Sequence, residues 1–182
     1  GGQLFSHGCH YIDILLHWLG QPLCGTHVGT NLGTPWMERE GTSSVSLKFA
    51  SSATAYHFGT WGARGSRLRY SVHAHCTEGM LEMTHAAETI VLHRDRSGGD
   101  LPALEALAAA GEQVEQPNEV VVYRQTGRSG KAVVEQMAAF LDCIERRRKP
   151  QISARASLRS LQVIWRLYAA EEQGLVADLR DL

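Results

Sequence analysis

GGQLFSHGCHYIDILLHWLG, residues 1–20, is the stretch from which the rest of the chain is best read, because it joins a clear helical period to a cluster of chemically able side chains. From Phe5 onward the apolar residues Phe5, Cys9, Ile12, Leu15, Leu16 and Leu19 recur at spacings of three and four, which predicts one buried stripe of an amphipathic helix. Gly20 supplies the stop, and Pro22 just beyond it cannot continue the ladder. At 100° per residue Ser6, His10, Asp13 and His17 fall on a narrow strip of another face, one turn above the next. Such a strip has two readings: the solvated side of a surface helix or a site. His17 is accounted for by the negative end of the helix dipole, and Asp13 beside His10 by an i, i+3 contact. Gly8, costly inside a helix by about 1 kcal/mol, marks either a close approach of backbone or ligand, or a helix that begins after it.

The pattern GGxLxxxGxHxxDxxxxxxG, read from Gly1 to Gly20, resembles the segment that opens the second domain of the Gfo/Idh/MocA oxidoreductases, the family of glucose-fructose oxidoreductase and inositol dehydrogenase. The resemblance implies that His10 faces the substrate and that Asp13 is the later acidic residue of the pattern. The family's usual Asp four residues before the His is Ser6 here. It further implies a cofactor domain and a Glu-Lys-Pro motif upstream of Gly1, NAD or NADP as cofactor, a sugar or polyol as substrate, and a homo-oligomer, dimer or tetramer, paired through the sheet. Residues 1–182 show no GxGxxG after a strand and no acidic residue some twenty positions later, so no dinucleotide unit is expected in them, and this chain alone is expected to bind no cofactor and to be inactive.

Composition narrows the class. With 43% hydrophobic and 20% charged residues and a net charge of −1, the chain has a globular make-up with no bias toward nucleic acid or anionic membrane. The apolar run Ile12–Leu19 is interrupted by Asp13 and His17, which argues against a membrane span. Cys9, Cys24, Cys76 and Cys143 include no CxxC pair and read as free thiols of a reducing cytoplasm.

After Gly20 the period falls to two. Thr42–Ala50 sets Val45, Leu47 and Phe49 against Ser44, Ser46 and Lys48. Ser66–Cys76 sets Leu68, Tyr70, Val72, Ala74 and Cys76 against Arg67, Arg69, Ser71, His73 and His75. With 23–32, 53–59, 80–84, 88–94 and 119–125, about seven strands are predicted. His73 and His75 share a strand face at a spacing that metal sites use, but a third ligand, His57 or Glu82, can be named only by guesswork, and no metal is assigned. The polar face with Arg67 and Arg69 reads as solvated or as a subunit contact.

Residues 94–118 read as an insertion holding a loop and a short helix from Leu101 to Ala108. A helix capped by Ser129, with Val133, Val134, Met137, Leu141 and Ile144 inward, stops before Pro150. Ser153 caps a last helix, Ala154–Gln173, with Leu158, Leu161, Trp165 and Tyr168 inward and Gly174 as its stop. The order of elements predicts an α+β domain, one open, mostly antiparallel sheet with helices on one face, over a single domain 1–182. Three functions follow as expectations: the substrate half of an NAD(P)-dependent oxidoreductase, with His10, Asp13 and Ser6 as site residues; a non-catalytic ligand-binding or assembly module of the same fold; and a metal-dependent enzyme using His73 and His75.

Overall fold

The structure, a computed structural model, describes residues 1–66, 70–84, 89–94, 118–124, 133–150 and 152–182. The elements run in the order π-turn (Leu4–Gly8), α1 (Cys9–Leu19), β1 (Pro22–Thr30), β2 (Thr42–Phe49), β3 (Thr54–Thr60), β4 (Ser71–Cys76), β5 (Gly79–Thr84), β6 (Thr89–Arg94), β7 (Glu119–Arg124), α2 (Val133–Glu145), α3 (Ala154–Glu172) and β8 (Ala177–Asp178). The fold is α+β with antiparallel strands, as the sequence predicts. Among the described residues the strands form two four-stranded sheets, ordered β3-β2-β1-β8 and β4-β5-β6-β7. The chain divides into two compact units, Gly1–Arg64 with Ala139–Leu182, and Gly65–Ala138.

In the first unit α1 and α3 pack on one face of the sheet. Alternation along β2 buries Ser43, Val45, Leu47 and Phe49, and leaves Ser46 and Lys48 in solvent. Cross-strand register lines the inner face with three rows: Gly25, Leu47 and Ala55; His27, Val45 and His57; Gly29, Ser43 and Gly59. Ile12 and Leu16 of α1, Val163, Ile164 and Leu167 of α3, and Ala177 and Leu179 at the carboxyl end close the core over them. Each such aliphatic side chain contributes about 1.5–3 kcal/mol when fully buried. The helix ends follow their signals: Gly20 at φ 84° ends α1, Gly174 at φ 67° lies just past α3, and the Ser153 hydroxyl accepts from the Ala156 N–H at 3.2 Å.

The stripe of α3 differs from the predicted one. Leu158 and Trp165 are exposed, and the buried side chains are Ser160, Val163, Ile164, Leu167, Tyr168 and Ala170. Ser160 hides the true stripe in the sequence, because its hydroxyl satisfies itself on the Ser157 carbonyl at 2.9 Å and so tolerates burial. Phe5 is also exposed rather than inward, and Val133, Val134, Met137, Leu141 and Ile144 of α2 are all exposed.

In the second unit the register sets His73 opposite Glu82, Val91 and Val121, and His75 opposite Met80, His93 and Glu119; a bulge beside Ile90 and Val91 leaves Val122 unmatched. The other face carries Val72, Ala74, Leu81, Met83, Ile90, Leu92, Val120 and Tyr123. Arg67, Arg69, the short helix 101–108 and the Ser129 cap lie outside the described residues.

Candidate functional site

The predicted helix is two pieces. Residues Leu4–Gly8 wind as a π-turn and only Cys9–Leu19 as an α-helix. A π-turn closes i→i+5 hydrogen bonds and is a feature found often at functional sites. Its wider winding takes Ser6 off the strip that an unbroken α-helix would give it. The Ser6 hydroxyl donates to the Gly2 carbonyl at 2.8 Å. His10, Asp13 and His17 keep their α-helical stacking on α1, with His10 and His17 exposed and Asp13 half-buried. No hydrogen bond or ion pair joins Ser6, His10 and Asp13 to one another among the described residues.

A buried polar lattice holds the π-turn against the sheet. The first amides of any helix lack intrahelical partners. Here the Gln3 N–H donates to the Glu40 carbonyl at 2.7 Å and the Leu4 N–H to Glu40 Oε1 at 3.0 Å. The same carboxylate oxygen accepts from the Tyr168 hydroxyl at 2.7 Å, tying α3 to the turn. Burial first, and the bond to Glu40 second, push the Tyr168 phenol well above its usual range. Gln3 is itself buried and its Oε1 accepts from the Ser43 hydroxyl at 2.6 Å. A Cβ at Gly59 would overlap the Gln3 amide, and one at Gly2 the Glu40 carboxylate, so both glycines leave room for the lattice.

On the other side of the turn the rings converge. His7 lies edge-on to Trp61 at 5.1 Å between centroids, 5.4 Å from Tyr11 and 6.2 Å from His10. Tyr11 stacks on His57 at 5.4 Å. Gly8 permits this, since a Cβ there would meet His57 Cε1 at 3.1 Å and Leu4 Cδ1 at 2.8 Å. Of the two readings of Gly8 the second is realised, since the α-helix begins after it, and what closes upon it is side chains rather than backbone or ligand. Burial pushes the His57 imidazole down to about 4, with His7 and His27 adding to the effect, and its Nδ1 is buried with no hydrogen-bond partner among the described residues. His27, two strands away in the same row, sets its Nδ1 2.6 Å from Glu171, whose other oxygen accepts from the Gly29 N–H at 2.7 Å. Burial, then His10, lowers the His7 pKa.

Sequence reasoning found His10 and Asp13 but missed His7, Tyr11, Trp61 and Glu40 as neighbours of the site. His57 entered only as a guessed metal ligand. Strand parity carried a signal for it, since Ala55, His57 and Gly59 share the inward face of β3. The arrangement offers an exposed imidazole flanked by a second one and an aromatic wall, a setting suited to binding and deprotonating a hydroxyl. It does not suit a dinucleotide's pyrophosphate, because the Leu4 amide at the head of the turn already meets a carboxylate. In the second unit His93 lies 3.3 Å from both Glu82 and Glu119, so the Glu82 carboxylate that a His73–His75 metal site would need is turned to His93. Among the described residues no group of three or more His, Cys, Asp or Glu could hold a metal ion.

The fold is similar to about half of each of several solved oxidoreductase structures. The WlbA dehydrogenase from Bordetella pertussis in complex with NADH and UDP-GlcNAcA aligns with 98% of this chain and 48% of its own, at TM-score 0.72 and 17% identity. An oxidoreductase from Agrobacterium radiobacter in complex with NAD+, L-tartaric acid and magnesium aligns over 97% and 48%, at TM-score 0.71 and 13% identity. Aldose-aldose oxidoreductase from Caulobacter crescentus complexed with glycerol aligns over 98% and 48%, at TM-score 0.69 and 18% identity. The chain thus spans about half the length of these proteins. No curated protein sequence matches it. Residues 1–82 match the model of the GFO/IDH/MocA C-terminal domain, in agreement with the resemblance read from Gly1–Gly20.

Proposed function

We propose that residues 1–182 form the substrate-binding and subunit-pairing domain of an NAD(P)-dependent oxidoreductase acting on a sugar, polyol or related hydroxy compound, with His10 handling the proton of the reacting hydroxyl. One observation carries this reading: His10 stands exposed at the head of α1, inside the family-matched stretch and beside His7. Oxidation of a secondary alcohol requires loss of the hydroxyl proton as the carbon gives up hydride, and an imidazole, whose ring nitrogen can accept that proton, meets the first demand. Asp13, one turn along α1, orients the imidazole or receives a second hydroxyl once substrate draws the two together. Ser6 serves the turn, through its bond to Gly2, before it serves the substrate. The hydride acceptor, NAD or NADP, is held by a part of the protein other than these residues, and the NADH, NAD+, sugar-nucleotide and polyol ligands of similar structures support both the cofactor and the substrate class.

In the full-length protein, His10→Ala should lower kcat by on the order of 100-fold or more, the usual range for losing a positioned acid–base group, and leave the melting temperature nearly unchanged because the side chain is exposed. Retained turnover would remove His10 from the chemistry. A second reading, a binding or assembly module without turnover, is favoured by the Ser6 hydroxyl being turned to backbone, with no carboxylate in its place next to His10. Absence of any NAD(P)-linked oxidation by the wild-type full-length protein would select it.

The domain pairs with a second copy through the polar face of the second sheet, which bears His73, His75 and the Glu82–His93–Glu119 group. Light scattering at tens of micromolar should report at least a dimer, and a monomer alone would refute the pairing. No described helix is long and apolar enough to cross a membrane. The four cysteines are all free, which supports a reducing, cytoplasmic setting.

A further inference from the structure

Two aromatic side chains that periodicity marks for the core, Phe5 and Trp165, stand 37% and 49% exposed, and both line one cavity of about 400 Å³. That volume lies toward the low end of the roughly 300–1,000 Å³ range of small-molecule pockets. On α3 the residues Trp165, Ala169 and Glu172 fall at i, i+4 and i+7 and so share a face, and the single methyl of Ala169 leaves a notch between two larger side chains. Phe5 of the π-turn, Arg39 of the segment between β1 and β2, and Tyr168 complete the lining. The charged groups of the cavity are Arg39 and Glu172. The guanidinium is held twice, over the Tyr168 ring at 4.8 Å and by Nη2 donating to Glu172 Oε1 at 3.3 Å. Tyr168 is itself anchored, because its hydroxyl donates to Glu40 at 2.7 Å. The other guanidinium N–H groups and the second Glu172 oxygen have no protein partner among the described residues. An ion pair as exposed as this one, 47% and 66%, adds little to stability, so stability does not account for its place beside two exposed rings.

We propose that this cavity binds a free α-amino acid with an apolar side chain, its carboxylate paired with Arg39, its ammonium with Glu172, and its side chain laid against Trp165 and Phe5. An ion of a single sign meets one attractive and one repulsive group 3.3 Å apart and gains little from the pair. A zwitterion whose two charges stand on one carbon meets each group with its opposite. The planar fork of the guanidinium matches a carboxylate, and an ammonium bonds a carboxylate through charge-assisted N–H groups. The ligand's apolar side chain removes exposed ring surface from water, which supplies the remaining attraction. None of these residues handles the hydroxyl proton assigned to His10, so the proposal stands apart from the reading of that residue.

Calorimetric titration of the full-length protein tests this with L-phenylalanine and L-leucine against three analogues that each lack one part: 3-phenylpropionate has no ammonium, 2-phenylethylamine no carboxylate, and glycine no side chain. L-Phenylalanine should bind with a Kd of about 1 mM or tighter, and each analogue about tenfold more weakly or worse, the worth of one charged contact or one buried side chain. Arg39→Met and Glu172→Gln should each weaken L-phenylalanine about tenfold, and Trp165→Ala by a similar factor. Equal affinity for 3-phenylpropionate or for 2-phenylethylamine would overturn the pairing of both charges. Unchanged affinity in Arg39→Met would put the binding elsewhere and overturn the site. Absence of binding by either amino acid at about 10 mM, checked by saturation-transfer NMR, would overturn the proposal outright. Should the charge variants fail to fold, Ala169→Phe, which fills the notch from an exposed position, decides in their place: it should abolish binding, and unchanged affinity refutes the site.

Discussion

The two sheets bury their residues very differently. On the inner face of the first, Val45, Leu47, Phe49, Ser43, His27 and His57 are all buried under α1 and α3. In the second, Val120 is the buried residue of the described strands, and the apolar face of β4 to β7 is otherwise half-buried or exposed within this chain. The first sheet therefore owes its stability to its own helices, and it can carry polar side chains inside because a packed lattice surrounds them. The second is held mainly by its ladder and cross-strand pairs.

Core truncation breaks this contrast most sharply. Phe49→Ala, at a fully buried position, should cost about 3–5 kcal/mol, while Leu81→Ala, 37% exposed, should cost about 1 kcal/mol. Equal shifts of the two variants in guanidinium unfolding would mean that the second sheet has a core of its own kind. Acid comes next. Because burial lowers His57 from its ordinary value to about 4, the unfolded chain takes up a proton below pH 6.5 that the folded chain refuses. The stability associated with neutral His57 is complete above pH 6.5 and is lost as pH falls to about 4, by on the order of 2–3 kcal/mol. His57→Phe should flatten the melting temperature against pH across that window, and a profile as steep as wild type would assign the acid sensitivity to other groups. The smallest effect belongs to the second sheet, where Glu82→Gln removes a partner of the partly exposed His93 and should cost about 0.5–1 kcal/mol, fading in high salt. A larger, salt-independent loss would mark that group as buried in an assembly.

Much of this architecture is legible in the residues. Alternation placed seven strands within a few residues of their observed ends, because strands with one buried face declare their period. The two-residue β8 is too short to show one, and the division into two sheets depends on pairings that no local pattern states. The π-turn was visible only as the oddity of Gly8: what widens the helix there is Glu40, thirty-six residues away from Leu4, and Tyr168, farther still. His10 and Asp13 could be named because a motif carries them. His7 and Trp61 meet through the third dimension, and spacing alone does not bring them together.

Chain connectivity gives the first unit an order of assembly. Its sheet begins with β1 near the amino end, yet β1 receives β8 as an edge partner, and Glu171 near the end of α3 supplies both oxygens that hold His27 and Gly29. A ribosome releases β1, β2 and β3 before the second unit, with an inner face that only α1 can cover until residues 154–182 have been made. The second unit is contiguous, Gly65–Ala138, and every strand in it has emerged before α3 is begun. The part that bears His10 is thus begun before the second unit and closed after it, and during that interval Val45, Leu47 and Phe49 are the surface that a chaperone would have to shield.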